Sequence, residues 1–276
     1  MELPNTQNKG KVFMTSMIDR QYTWENIYPQ HIIAYIYSGE LLLSYGQDSL
    51  TFVAGDTLLV PRNQLSRSIK NPLKGEPFTC VSMALPEEEL RKFYEHHSIL
   101  ESWTENISKQ RPINSHPLLE SFFASLLPYF DMQDELPDEL VSVKVQEILT
   151  IIDQVDKRAS AILGTFSEIG KIDLEKYMEE HFMYNLPLER FAFLTGRSLT
   201  TFKSDFKKIF KNTPGKWLTE KRLQLAYHKL SMEKQKVTDV YHSVGFENLS
   251  HFSFAFKKEF GYSPSTLNHN HSISGK

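Results

Sequence analysis

Between Pro187 and Pro264 one arrangement occurs twice: a short helix-forming run, a glycine, and a second run that is apolar at helical spacing and polar on its other side. In the first copy Leu188, Phe191, Ala192 and Leu194 form the short helix, Thr195-Gly196 ends it, and Leu199, Phe202, Phe206 and Phe210 mark the inner face of the second helix. Thr200, Lys203, Ser204 and Lys207 fall on its solvent side, and Ser198 is placed to cap it. In the second copy Val237, Val240 and Val244 precede or flank the corner at Gly245, and Phe252, Ala255, Phe256 and Phe260 turn inward from about Asn248. Leu249, Ser250, His251, Phe254 and Lys257 are left outward. Each glycine supplies the positive φ that a tight helix-to-helix corner needs. Thr213-Pro214 opens a long helix between the copies, running through Trp217, Leu218, Leu223, Ala226 and Leu230 to about Ser231. Two helix-turn-helix units joined by one helix restrict the last hundred residues to an all-α domain.

The upstream half reads differently. From Lys11 to Leu85 the chain consists of short β-rich runs broken by Gly, Asn, Asp or Pro, which predicts an antiparallel sandwich or barrel. Strands are expected over 32–38, 41–45, 50–53, 57–60, 66–70 and 78–84, with turns at Ser38-Gly39-Glu40 and Ala54-Gly55-Asp56. After Pro86 the period becomes helical, first at Leu90, Phe93 and Tyr94, then at Leu118, Leu119, Phe122, Phe123 and Leu126. A stripe of Val141, Val145, Ile148, Leu149, Ile152 and Val155 follows, wide enough to pack internally or to form a homodimer. The expected class is therefore α+β, with a β-rich regulatory domain over 1–155, a partly helical linker over 156–170, an all-α domain over 171–270 and a disordered tail at 271–276.

Charge divides at the same place. Residues 1–170 hold 14 Lys plus Arg against 23 Asp plus Glu, a balance of −9, whereas residues 171–276 hold 17 against 11, a balance of +6. A basic all-α domain beside an acidic one points to a polyanion as the partner of the second half alone. Neither an N-terminal apolar run nor a stretch of roughly 18 apolar residues is present, so no membrane partner is expected. The single cysteine, Cys80, excludes an intrachain disulfide framework and fits a cytoplasmic protein.

The C-terminal residues resemble the AraC/XylS family of bacterial transcriptional regulators over about 171–267. The marks are Leu188 to Phe210, Thr213-Pro214 and Arg222-Leu223 with Ala226 and Leu230, the block Gly245-Phe246-Glu247-Asn248-Leu249-Ser250-His251-Phe252-Ser253, and Phe256-Lys257-Lys258-Glu259-Phe260-Gly261-Tyr262-Ser263-Pro264. The upstream sheet, with Gly39-Glu40 and Gly55-Asp56, resembles the cupin-like barrel often found ahead of that domain. The resemblance implies sequence-specific binding of double-stranded DNA, with Thr200, Lys203 and Ser204 of the first unit and Leu249, Ser250, His251 and Phe254 of the second at base-reading positions. Phe254 departs from the family, where that position is often Arg, and Tyr241 stands where a small Ala is usual. It also implies RNA polymerase as a further partner if the protein activates.

The geometry of the connecting helix agrees independently. Its 18 residues span roughly 27 Å, comparable with the roughly 34 Å between successive major-groove segments on one DNA face. Lys207, Lys208, Lys257 and Lys258, at the ends of the two reading helices, and Ser198 at the start of the first are suited to phosphates, and Arg222 to bracing the connecting helix.

Control is expected from the upstream domain, through a small ligand or through a regulatory protein. Tyr35, Tyr37, Leu43, Phe52 and Leu59 are the residues expected to line a ligand pocket. The rival class is a cupin-type metalloenzyme, but residues 39–83 contain no histidine and cannot form a His-x-His pair. His31 is isolated, His96 and His97 point apart, and His269-Asn270-His271 falls in the tail. Neither a metal, another cofactor nor a catalytic residue is expected, and the protein reads as a regulator rather than an enzyme.

Overall fold

The computed structural model describes residues 5–45, 48–97, 111–132, 136–166 and 171–269. Two compact units divide the chain, 1–166 and 167–276. The expected tail at 271–276 lies outside the described residues.

The first unit is built on β1 (Asn5–Lys9), β2 (Val12–Met17), β3 (Gln21–Ile27), β4 (His31–Ser38), β5 (Glu40–Tyr45), β6 (Asp48–Val53), β7 (Thr57–Val60), β8 (Leu65–Asn71), β9 (Phe78–Leu85) and β10 (Arg111–Ile113). They form a six-stranded sheet, β1-β2-β9-β4-β7-β10, and a four-stranded sheet, β3-β8-β5-β6, antiparallel throughout. Among the described residues no ladder joins the two sheets, so of the expected sandwich or barrel the strands make a two-sheet antiparallel sandwich. The glycine turns explain this: β4 belongs to one sheet and β5 to the other, and β6 and β7 likewise, so the turns at Gly39 and Gly55 are corners between sheets and not hairpins. At Gly39, φ is +80° and an added Cβ would lie 2.6 Å from the Asn71 carbonyl oxygen, which restricts that corner to glycine.

Strand pleating sends alternate residues to opposite faces. On β4, Ala34 and Ile36 point between the sheets, where they join Leu41, Leu43, Phe52, Leu58, Phe78 and Cys80. Ile33 and Tyr35 point the other way, into a larger core with Leu59, Val81 and Met83. Helices α1 (Glu87–Tyr94), α2 (Pro117–Leu126), α3 (Asp138–Val155) and α4 (Lys157–Leu163) complete that outer core. Val141, Val145, Ile148, Leu149 and Ile152 of α3 are buried in it, so the apolar stripe is covered from within the chain. Helix α4 lies inside the stretch expected to be a linker. It packs Ala159, Ile162 and Leu163 into the same core, and the Tyr94 hydroxyl donates to the Ser160 carbonyl at 2.8 Å. The regulatory unit therefore runs to Phe166, eleven residues past the expected boundary at 155.

The second unit contains α5 (Leu174–His181), α6 (Leu188–Leu194), α7 (Leu199–Phe210), α8 (Pro214–Ser231), α9 (Val237–Ser243), α10 (Leu249–Phe260) and α11 (Thr266–His269). It has two cores. Phe191, Ala192, Phe202 and Phe206 pack with Leu174, Met178, Trp217 and Leu218, whereas Val240, Val244, Phe246, Phe252 and Phe256 pack with Leu223, Ala226 and Leu230. Helix α8 thus lends its first half to one core and its second half to the other. Arg222 ties it to the loop after α5, with Nε donating to the Phe182 carbonyl at 2.8 Å and Nη2 to the Tyr184 carbonyl at 2.6 Å.

Candidate nucleic-acid interface

Each reading helix begins at a side-chain cap. Ser198 Oγ accepts from the Thr201 amide at 3.2 Å to start α7, and Asn248 Oδ1 accepts from the His251 amide at 2.8 Å to start α10. The amphipathic spacing then buries Phe202 and Phe206 on α7 and Phe252 and Phe256 on α10, which leaves one outward face on each. On α7 that face carries Thr200, Lys203, Ser204, Lys207 and Lys208, all exposed. On α10 it carries Leu249, Ser250, His251, Phe254, Lys257 and Lys258, also exposed. Every expected base-reading residue therefore lies on the outward face of its helix.

The lysines of these faces differ from those of the connecting helix. Lys216 pairs with Glu220 at 3.7 Å and Lys221 with Glu179 at 2.8 Å on α8. Among the described residues, Lys203, Lys207, Lys208, Lys257 and Lys258 have no ion-pair partner, so their full charge faces solvent. Ser198 is different: its oxygen is already engaged by the cap and lies 2.9 Å from Thr201 Oγ1. The sequence reading overlooked Arg197, which donates to Asp205 Oδ2 at 3.2 Å and to the Thr195 carbonyl at 2.6 Å. That arginine fastens the corner at Gly196 to the body of α7. Its only sequence signal is a basic residue eight positions before an acidic one.

At the second corner Gly245 has φ +96°, and an added Cβ would stand 2.5 Å from the Met183 carbonyl oxygen and 2.9 Å from Arg222 Nε. The corner is held by close backbone approach, which fixes how α10 projects. His251 sits edge-on to Phe246, ring centroids 5.6 Å apart. Tyr241 is half-buried against the second core and does not displace α9 from it.

The regulatory unit contains a cavity of about 330 Å³ between its two sheets. Of the five residues expected around a pocket, Leu43 lines it. Tyr35, Tyr37 and Leu59 lie on the helix-facing side of the six-stranded sheet, where Tyr35 stacks on Phe123 at 5.4 Å, and Phe52 is core between the sheets without lining the cavity. The lining surface is mostly apolar; its polar side chains include Ser66, Ser68 and Lys70 of β8 together with Thr15, Asn26, Gln30 and Ser82. Ser66 Oγ is buried without a hydrogen-bond partner, and Ser68 Oγ accepts from Asn26 Nδ2 at 3.0 Å. Among the described residues no carboxylate lines the cavity. Burial pushes the Lys70 ammonium below its usual pKa and the Cys80 thiol up to about 12, so the thiol stays protonated.

Among the described residues no group of three or more His, Cys, Asp or Glu side chains is placed to hold a metal ion. His31 Nδ1 accepts from the Arg62 amide at 3.2 Å, and burial together with the Arg62 charge lowers its pKa to about 4, so it is a neutral structural acceptor.

Two helix-turn-helix units with outward, cationic second helices define a DNA-binding module of the double helix-turn-helix class. Residues 191–270 match a helix-turn-helix domain family, and residues 31–161 match the ExsA N-terminal regulatory domain. The thermoregulatory protein LcrF of Yersinia pestis is 26% identical over 197 residues, which cover 69% of this chain and 72% of LcrF. The HTH-type transcriptional regulator ExsA of Pseudomonas aeruginosa is 24% identical over 234 residues, 82% of each chain. Among solved structures, unsaturated fatty acid-bound ToxT from Vibrio cholerae aligns over 96% of each chain at 14% identity with a TM-score of 0.45. Both matched domains and these relatives are of the kind found in AraC-family transcriptional regulators, so the chain reads as a DNA-binding regulator.

Proposed function

We propose that one chain reads two adjacent major-groove segments, α7 entering one and α10 the next, with α8 as the spacer. The supporting observation is the pair of outward faces, alike in their unpaired lysines and each set on a helix fixed by a cap and a glycine corner. Thr200, Lys203 and Ser204 read bases in the first segment, and Leu249, Ser250, His251 and Phe254 in the second. Lys207, Lys208, Lys257 and Lys258 hold phosphates, which adds affinity without sequence information. Ser198 serves the cap first, so its part in phosphate binding is minor. The protein acts in the cytoplasm, and a homodimer, if it forms, uses a surface other than the covered stripe of α3.

Selection from randomised duplexes tests this. Lys203→Ala and His251→Ala should each relax preference at one or two base pairs, by roughly 1–3 kcal/mol, at positions about one helical turn apart. Relaxation at the same positions, or a uniform loss of affinity in both, would reject the two-groove assignment.

The cavity between the sheets favours control by a small molecule over control by a partner protein. A largely apolar ligand with an anionic end suits it: the walls are mostly apolar, no carboxylate among the described lining residues compensates Lys70, and Ser66 Oγ is left to be satisfied. A panel of small aliphatic and aromatic monocarboxylates should raise the unfolding temperature of the full chain and not that of Lys70→Met. Equal stabilisation of both proteins, or of neither, would reject the cavity as the effector site.

A further inference from the structure

The two reading helices have the same length, and aligned from their first residues they carry identical side chains at the structural positions. Leu199 matches Leu249, Phe202 matches Phe252, Phe206 matches Phe256, Lys207 matches Lys257, Lys208 matches Lys258 and Phe210 matches Phe260. Packing and terminal charge are thus common to both, and the differences fall on the remaining positions. Where α7 has Lys203, Ser204 and Asp205, α10 has Ser253, Phe254 and Ala255. The first helix offers donors and acceptors. The second offers, in place of Ser204, a phenyl ring that is 70% exposed.

That ring takes no part in the second core, which is made by Phe252 and Phe256 on the other side of the helix. It lies three and four residues after His251 and Ser250, and three and four before Lys257 and Lys258, so the five share one face. The lysines draw this face onto the phosphates and bring Phe254 to the base edges. A phenyl ring has neither donor nor acceptor to offer, and the one apolar group that base edges present in the major groove is the C5-methyl of thymine.

We infer that Phe254 reads thymine methyl groups, so that the two halves of the operator are recognised by different chemistry. The α7 half is read by hydrogen bonds alone, whereas the α10 half adds apolar contact to the hydrogen bonds of Ser250 and His251. This rests on the groove assignment above and makes Phe254 a specificity-determining residue of the second unit beside His251.

The test uses the full chain and an operator selected from randomised duplexes, with each thymine replaced in turn by deoxyuridine, which removes the methyl and keeps the base pairing. The wild type should lose about four-fold in affinity for each contacted methyl removed in the α10 half, the effect of exposing one buried carbon, and nothing in the α7 half. Phe254→Ala, folded as judged by its circular dichroism, should bind the thymine and uracil forms alike. Phe254→Arg should prefer guanine where the wild type prefers thymine. A wild type that binds both forms equally, or a Phe254→Ala protein that keeps the four-fold difference, overturns the inference. If the wild type selects no preferred sequence at all, the groove assignment itself has failed and the inference falls with it.

Discussion

Replacing Lys257 and Lys258 together by Ala should halve the salt dependence of DNA binding and leave the preferred sequence unchanged. Four lysines, Lys207, Lys208, Lys257 and Lys258, end the two reading helices, exposed and without ion-pair partners among the described residues, so each can displace a condensed counterion in full. Four phosphates neutralised give a slope of log affinity against log salt of about −3.6, at roughly −0.9 per phosphate on duplex DNA. Between 50 and 200 mM salt that is a loss of about 150-fold. With two lysines removed the slope becomes about −1.8 and the loss about 12-fold. Fluorescence anisotropy of a labelled operator, titrated at several salt concentrations, measures both slopes. An unchanged slope in the double variant would show that α10 does not approach the backbone. A changed base preference with an unchanged slope would show that these lysines read bases and that the outward face is rotated from the one described.

Gly245→Ala forces a Cβ to 2.5 Å from the Met183 carbonyl oxygen at φ +96°, and should cost about 2–4 kcal/mol, seen as a fall of about 10 °C or more in the unfolding temperature of the second unit. Gly215→Ala, with open space around its Cα in α8, should leave that temperature unchanged or raise it slightly. Below pH 6.5 the unfolded chain protonates His31 while the folded chain, whose His31 pKa is held near 4 by burial, does not. The first unit should therefore lose up to about 3 kcal/mol as pH falls from 6.5 to 4, and His31→Gln, which keeps an acceptor for the Arg62 amide, should flatten that limb of a denaturant-midpoint profile.

The C-terminal unit was legible because its signals are local. Apolar spacing, a cap and a glycine all lie within one helix or one corner, so the ranges of α7, α8 and α10 and the outward positions of Lys203, His251 and Phe254 follow from residues within a few turns of each other. Arg197 was not legible, because its role depends on Asp205 coming alongside it across the corner. In the regulatory unit β4 is buried on both faces, so period-two reasoning separates Ala34 from Tyr35 without saying which side holds a cavity. Tyr35 and Leu59 were assigned to the wrong face for that reason. The 156–170 stretch reads as partly helical but not as core, because Ala159, Ser160 and Ala161 make a weak apolar signal and what fixes α4 is Tyr94, 66 positions earlier. β1 has a polar sequence, Asn-Thr-Gln-Asn-Lys, and becomes a strand only by pairing with β2.

The central claim is that a single rigid spacer sets two reading helices into successive grooves, and operator spacing tests it most directly. Five base pairs inserted between the two selected half-sites turn the second half to the opposite face of the duplex. Ten restore the face but place it about 68 Å away, beyond the roughly 27 Å of α8. Both insertions should reduce the affinity of the full chain to that of a single half-site. Affinity for both half-sites together retained with either insertion would contradict the account.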